Sequence, residues 1–549
     1  MKIIFIITTL FCCTWIDFAS SGYEKIHGWQ FNCHFEVITG KPISDLTGMD
    51  TLRQRAFSHG DTLSSAPNYF FIEPHDTQED IIRKAASVAP TGRQFTWQQN
   101  EFTAFTHFGI NTFTDREWGD GKEAPMLFDP SDFNARQWVN VIKGAGMKML
   151  ILTAKHHDGF CLWPSRVTEH SVKNSSWKNG KGDMVAEVAA ACQEAGIRFG
   201  VYLSPWDRHE ASYGDSPVYN EFFRNQLREL LTNYGEISEV WFDGACGEGP
   251  NGKRQVYDWP SYYRVVRELQ PNAVIFGFGP DVRWVGTESG VGRETEWSVI
   301  PDVIQPVDSL SENNTFTADE MFIPGDRMAD DLGSRERLLE AKTLYWYPSE
   351  ADVSIRPGWF YHAGQDSLVK TPQQLVDIYF NSVGRNSVLL LNIPPDRRGK
   401  ISDPDIQSLE GMRRLLDRIF ESNFLAGAAV SSSSEIEGFE ARFLTDGNPD
   451  TYWSADPAET TATIEITLQE PQLFDVLQLR ENIRAGQRIE QFYLEVWQGE
   501  RWQRICQGTT VGYQRLLRFA PVKAHRIRLV ISQSRLNPEL MEAGVYSTM

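Results

Sequence analysis

Cysteine is scarce in this chain: seven occur in 549 residues. Cys12 and Cys13 fall in an N-terminal apolar run, which leaves Cys33, Cys161, Cys192, Cys246 and Cys506 scattered with no Cys-x-x-Cys spacing. That excludes a disulfide framework and a cysteine zinc site, and the residues read as buried free thiols. Positive charge is also short. Lys and Arg number 53 against 73 Asp and Glu, a net charge of −20, so a phosphate backbone is repelled and nucleic acid is not an expected partner. After residue 16 no run approaches the roughly 20 apolar residues that cross a bilayer, so no transmembrane segment is expected. The first candidate strand-to-helix turns lack Gly-x-Gly-x-x-Gly, which counts against a dinucleotide fold. What is plentiful is aromatic: 12% of residues, 17 of them Trp. Such side chains fill cores and also stack on sugar rings, and both readings stay open for any single Trp.

The amino terminus reads as a secretion signal. Lys2 precedes the apolar run Ile3 to Ile16, and Ala19 and Ser21 suit cleavage near Ser21-Gly22. A lipid-attached cysteine at Cys12 or Cys13 is the rival, against which the bulky Phe11 counts. An exported protein, periplasmic or at the cell surface, is the expectation. Residues 22–80 show no period and read as an irregular leader. Near their end, Asp76 or Thr77 caps a helix that starts with acids in its first turn.

From about residue 95, apolar strand-like runs alternate with amphipathic helical stretches. The expected strands are 102–110, 147–154, 198–204, 239–242, 273–278, 297–303, 343–349 and 387–393. About eight repeats over some 330 residues predict a (β/α)8-like barrel, placed at 81–424. Beyond the serine run Ser431 to Ser434 the texture changes to short alternating segments: 462–468, 474–480, 491–497, 515–519 and 526–531. These predict an all-β sandwich over 425–549. The fold class is α/β barrel followed by β-sandwich.

Barrel active sites lie at the carboxyl ends of the strands. The residues there are His107 after the first strand, Lys155-His156-His157-Asp158-Gly159-Phe160 after the second, Tyr202-Leu203-Ser204-Pro205 at the third, and Trp241-Phe242-Asp243-Gly244 at the fourth. His156 and His157 could ligate a metal. Neighbouring strand residues point in opposite directions, however, and no carboxylate triad stands beside them, so no metal is expected. Neutral imidazoles, Tyr and Trp around one carboxylate suit hydroxyl recognition and stacking on a pyranose.

These motifs, with Glu117-Trp118, resemble glycoside hydrolase family 29, the α-L-fucosidases. The resemblance implies a retaining glycosidase needing no cofactor, acting on fucosylated oligosaccharides. It makes Asp243 the nucleophile, and His107, Glu117, Trp118, His156, His157 and Tyr202 the sugar-binding residues. Trp284 to Gly290 resembles the acid/base segment of the subgroup preferring α-1,3/1,4 linkages in Lewis-type glycans. This nominates Glu288, with Glu294, Glu296 and Glu350 as rivals. Resemblance to that subgroup continues through Tyr347 to Trp359 and Leu391 to Pro395. Trp118 and Trp297 are the candidates for an apolar wall against the sugar's methyl group. The last 120 or so residues resemble a discoidin-like domain related to carbohydrate-binding module family 32, carried by Leu444-Thr445-Asp446-Gly447-Asn448 to Ser454. Asp446 and Asn448 could hold a structural Ca²⁺ or simply form Asx turns. The domain could bind glycan or brace the barrel, and oligomeric state is not readable. A hydrolase of another monosaccharide, or a non-catalytic glycan-binding protein, are the alternatives.

Overall fold

The structure, a computed structural model, describes residues 66–549 apart from 278 and 303–328. The expected secretion signal and most of the leader lie outside the described residues. The leader's last part is not irregular. Tyr69–Phe71 forms a strand antiparallel to Thr343–Trp346. Thr77 then caps the helix Gln78–Ser87, and Asp80 reaches back to its amide in a reciprocal capping box.

Eight parallel strands follow: β1 Phe102–Thr106, β2 Met149–Lys155, β3 Arg198–Leu203, β4 Glu239–Trp241, β5 Val274–Phe276, β6 Arg283–Trp284, β7 Ser349–Ser354 and β8 Val388–Asn392. Their order is β5-β4-β3-β2-β1-β8-β7-β6, which is chain order around a circle. A bridge from Phe276 to Val282 links β5 to the start of β6 and nearly closes the ring. Helices such as Ala135–Gly144, Met184–Ala195 and Ser216–Asn233 cover the outside. Every residue of β2 is buried, as a strand with helices on one face and the barrel core on the other must be.

Two expected barrel strands belong elsewhere. Val299–Asp302 and Thr343–Trp346 pair antiparallel with each other in a separate three-stranded sheet with Tyr69–Phe71. Arg283–Trp284 and Ser349–Ser354 take their places in the barrel. Apolar runs looked alike in both settings because composition does not record which sheet a strand joins.

The carboxyl-terminal domain is an antiparallel sheet domain. The expected pairs 462–468/474–480 and 515–519/526–531 are halves of two 20-residue strands, Ala462–Glu481 and Arg515–Ser534. Register shifts at Thr467/Gln472 and Phe474/Val476 divide their ladder into halves. It docks on the barrel through polar contacts. Arg480 pairs with Glu101 at 2.8 Å, Arg518 with Asp377 at 2.6 Å, and the Tyr513 amide donates to Asn386 at 2.8 Å.

Inside the barrel, strand alternation stacks side chains in layers. On β4, Glu239, Trp241 and then Asp243 share one face; on β7, Glu350 and Asp352 do. Glu239 and Glu350 are both fully buried and lie close enough for the ionisation of one to act on the other. Trp97 donates to Glu239 at 2.7 Å and Trp241 to Glu350 at 2.9 Å. Burial first, and then Glu239's charge, hold the Glu350 carboxyl well above its usual range, and burial does the same for Glu239. The pair therefore keeps a proton at neutral pH.

Unfolded glutamates ionise near pH 4.3, roughly. A folded pKa raised above that contributes stability that is full below the unfolded value and is lost as pH rises through the folded one. Glu350→Gln supplies a permanent donor to Glu239. The melting temperature of the wild type should fall more steeply than that of Glu350→Gln between about pH 5 and pH 9. Parallel curves from calorimetry would mean that no proton is shared.

Candidate active site

β4 is three residues long, and the chain leaves it at Phe242, so Asp243 stands at the mouth above Trp241. Two neutral donors hold its carboxylate: the Tyr202 hydroxyl at 2.9 Å to Oδ2 and the Ala245 amide at 2.7 Å to Oδ1. Burial and the nearby negative charge hold the Tyr202 phenol well above its usual range, so it stays a donor. His157 Nε2 lies 3.8 Å from Oδ2. One-quarter of the Asp243 side chain is open (24%), leaving it accessible to an incoming atom.

Three imidazoles surround this group. His107 Nδ1 is 2.9 Å from Asn392 Oδ1. The Asn392 amide nitrogen donates to Ser354 Oγ and to the Trp359 carbonyl, so Oδ1 must accept and His107 carries its proton on Nδ1. Burial pushes its pKa down to about 3, so the ring is neutral and Nε2 accepts. By the same logic Ser204 donates to the Trp206 carbonyl and accepts from His157 Nδ1 at 2.7 Å. His156 is also held neutral by burial, and its Nδ1 is buried without a protein hydrogen-bond partner.

The adjacent His156 and His157 do not point apart as strand alternation predicts. Their rings lie 4.1 Å apart. β2 ends at Lys155 after a register shift, and a turn closes from the Gly159 amide to the His156 carbonyl. Once the pleat ends, so does the alternation.

Glu288 sits in the loop after β6. The Trp359 indole donates to its Oε2 at 3.2 Å. The residue is exposed at the rim, yet partial desolvation of its carboxyl raises its pKa, and the charges of Asp243 and Glu117 raise it further. The rivals lie elsewhere. Glu294 pairs with Arg385 and Arg515 at the junction with the sheet domain. Glu296 is 1% exposed and paired with Arg283, and Glu350 is on the barrel floor. Among the four, Glu288 is the one whose electrostatic neighbours include Asp243.

Glu117 accepts from the Trp359 amide at 2.8 Å, the Phe360 amide at 3.3 Å and His362 Nε2 at 2.7 Å, so it fastens the 359–362 segment against the rim. A Cβ at Gly358 would collide with that carboxylate. Burial works against a charge on His362, but the hydrogen bonds to Asp115 and Glu117 outweigh it and raise its pKa. Trp118 is exposed at the rim, edge-on to His157 and Trp206.

Trp297 is not part of this site. It is 2% exposed, packs with Ile300, Tyr345 and Tyr347, and lies 3.4 Å under the Arg535 guanidinium. It neighbours the outer sheet, and an apolar wall for sugar must come from elsewhere. Sequence reasoning gave no role to Asn392, Trp359, His362 or Asp352. Asn392, a polar residue ending an apolar strand, and Asp352, in period two with Glu350, had a signal; His362 had none.

No group of three His, Cys, Asp or Glu side chains that could hold a metal occurs among the described residues. In the sheet domain, Asp446 accepts from the Asn448 amide and the Thr451 hydroxyl, and Asn448 from the Asp450 amide. Those side-chain oxygens accept Asx-turn hydrogen bonds, which close the loop through its own groups.

A barrel whose mouth holds one accessible carboxylate, a second carboxyl with a raised pKa and neutral imidazoles is the setting of a glycoside hydrolase. Comparison with known proteins agrees. The family model for alpha-L-fucosidase matches residues 85–419, and that for the F5/8 type C domain matches 428–541. The chain is 44% identical over 466 residues to alpha-L-fucosidase 1 of Arabidopsis thaliana, covering 83% of this chain and 87% of that protein. A fucosidase of Ruminococcus gnavus, solved in complex with fucose, superposes with a TM-score of 0.73 at 33% identity, covering 84% of this chain and 95% of that one. A Bacteroides ovatus structure assigned to the same enzymes has a TM-score of 0.78 at 48% identity, covering 88% and 78%. The chain belongs to the alpha-L-fucosidase family, glycoside hydrolase family 29, and carries a discoidin-like domain.

Because the Asp446 loop closes on itself, EDTA should leave the melting temperature unchanged within about 1 °C. A fall of several degrees, reversed by added calcium, would show an ion bound there.

Proposed function

We propose that the enzyme is a retaining exo-α-L-fucosidase that removes terminal α-1,3/1,4-linked fucose from Lewis-type glycans. The observation that carries the mechanism is the unequal setting of two carboxyls at one mouth. Asp243 is held by two neutral donors and is open on one side; Glu288 has its pKa raised by desolvation and by Asp243. In the first step Asp243 attacks the anomeric carbon while Glu288 gives its proton to the departing oxygen. In the second, Glu288 takes a proton from water, which attacks the same carbon and releases Asp243. The neutral Nε2 of His107 accepts a sugar hydroxyl proton, and His156 Nδ1 is placed for another. Tyr202 keeps Asp243 aimed. Two carboxyls suffice, and no cofactor takes part.

The linkage preference is supported by the likeness of the Trp284–Gly290 and Tyr347–Trp359 segments to that subgroup. The apolar run Ile3 to Ile16 supports export to the periplasm or cell surface, where such glycans are met. Among the described residues no helix is long and apolar enough to cross a membrane. The sheet domain is suited either to hold glycan near the barrel or to brace it through the Arg480 and Arg518 contacts.

Asp243→Ala should lose at least about 10³-fold in kcat on every fucoside; near wild-type turnover of an aryl fucoside would remove Asp243 from the mechanism. Glu288→Ala should slow a fucosylated oligosaccharide about 100-fold or more, and an activated aryl fucoside far less. It should also lose the alkaline limb of kcat/KM, because in the wild type activity falls as Glu288 ionises. Equal losses on both substrates would assign Glu288 a structural role. Digestion of 2-, 3- and 4-fucosylated oligosaccharides, followed by NMR, should release α-fucose first from the 3- and 4-linked sugars. β-Fucose as first product would mean inversion, and equal rates on the 2-linked sugar would overturn the linkage reading.

A further inference from the structure

Resting on the reading of Glu288 as acid/base, we propose that Asp352 is a positioning residue that seats the Glu288 loop on β7 and so controls proton delivery to the departing oxygen. Glu288 is exposed at the rim and no backbone ladder includes it, so besides the Trp359 indole on its carboxyl its position depends on how residues 284–290 are anchored. Three anchors of that loop lead to β7. The Trp284 indole donates to Asp352 Oδ1 at 2.7 Å. The Val285 amide donates to the Glu350 carbonyl at 2.9 Å, and the Gly290 amide to the Asp352 carbonyl at 3.0 Å. The first is the sole side-chain tie among them, and it holds the entry to the loop four residues before Glu288. The exit needs a close approach: Gly290 has φ +70°, and a Cβ there would press on Val353 and Ile378.

Asp352 is 4% exposed, and the charged groups facing it are Glu288 and Asp243 from the mouth and Glu350 from the layer below. Burial first, and then the Glu288 charge, push its pKa up to about 8. At neutral pH it is therefore a neutral carboxyl. It accepts from Trp284 through one oxygen without adding a second negative charge to a site that already holds Asp243. An asparagine reproduces both features, and an alanine neither.

The test compares Asp352→Asn, Asp352→Ala and Trp284→Phe on a 3-fucosylated oligosaccharide and on an activated aryl fucoside, with Glu288→Ala as reference. Asp352→Asn should stay within about threefold of wild type on both substrates and keep the alkaline limb of kcat/KM. Asp352→Ala and Trp284→Phe should lose about tenfold or more in kcat on the oligosaccharide and less than about threefold on the aryl fucoside. If Asp352→Ala does not fold, Trp284→Phe, which keeps the ring and loses the donor, decides. Equal losses on the two substrates, unchanged kcat on both, or an Asp352→Asn as poor as Asp352→Ala would overturn the proposal. If Glu288→Ala itself shows no dependence on the leaving group, the acid/base assignment fails instead, and the two failures are told apart.

Discussion

Five carboxyl groups crowd the inside and mouth of one narrow barrel, and each takes a hydrogen bond from a neutral aromatic donor. Trp97 serves Glu239, Trp241 serves Glu350, Trp284 serves Asp352, Trp359 serves Glu288 and Tyr202 serves Asp243. Arginines in this position would form ion pairs and drive every carboxyl to its anion. Indoles and a phenol satisfy oxygen lone pairs without supplying charge, so protonation is left to burial and to the carboxyls' effect on one another. That constraint lets the buried carboxyls of the barrel keep protons. It also gives the abundance of tryptophan a physical use beyond core filling.

The layering follows from strand geometry. Period two sends Glu239, Trp241 and Asp243 inward one above another, and likewise Glu350 and Asp352. The floor pair is fully buried and holds its proton; the mouth residue is open on one side. A carboxyl is thus fully buried at one level and left open at the mouth four residues along, because burial changes between them. The tyrosine and histidines of the mouth stay in the protonation states that hydroxyl recognition needs for the same reason: burial penalises their charged forms.

The barrel and the sheet domain are joined by charges drawn from both. Glu294 and Glu296 were plausible acids in the sequence because they stand a few residues from Glu288, yet one belongs to the junction with the sheet domain and the other to a buried ion pair with Arg283. Trp297 shows the same thing for an apolar residue, drawn under Arg535 rather than toward the sugar. Nearness along the chain says little once a loop leaves its strand.

Read alone, the chain determined the alternation of strands and helices, the change to short antiparallel segments after the serine run, and the strand-end motifs that converge on the mouth. These are local: periodicity and residue type suffice for them. Tertiary structure decided which apolar runs join the barrel and which form the outer sheet, how the rings of His156 and His157 come together, which glutamate feels the charge of Asp243, and that Asn392, Trp359, His362 and Asp352 make contacts at the mouth. Each of those depends on contacts between residues tens to hundreds of positions apart, and on burial, which no local pattern records.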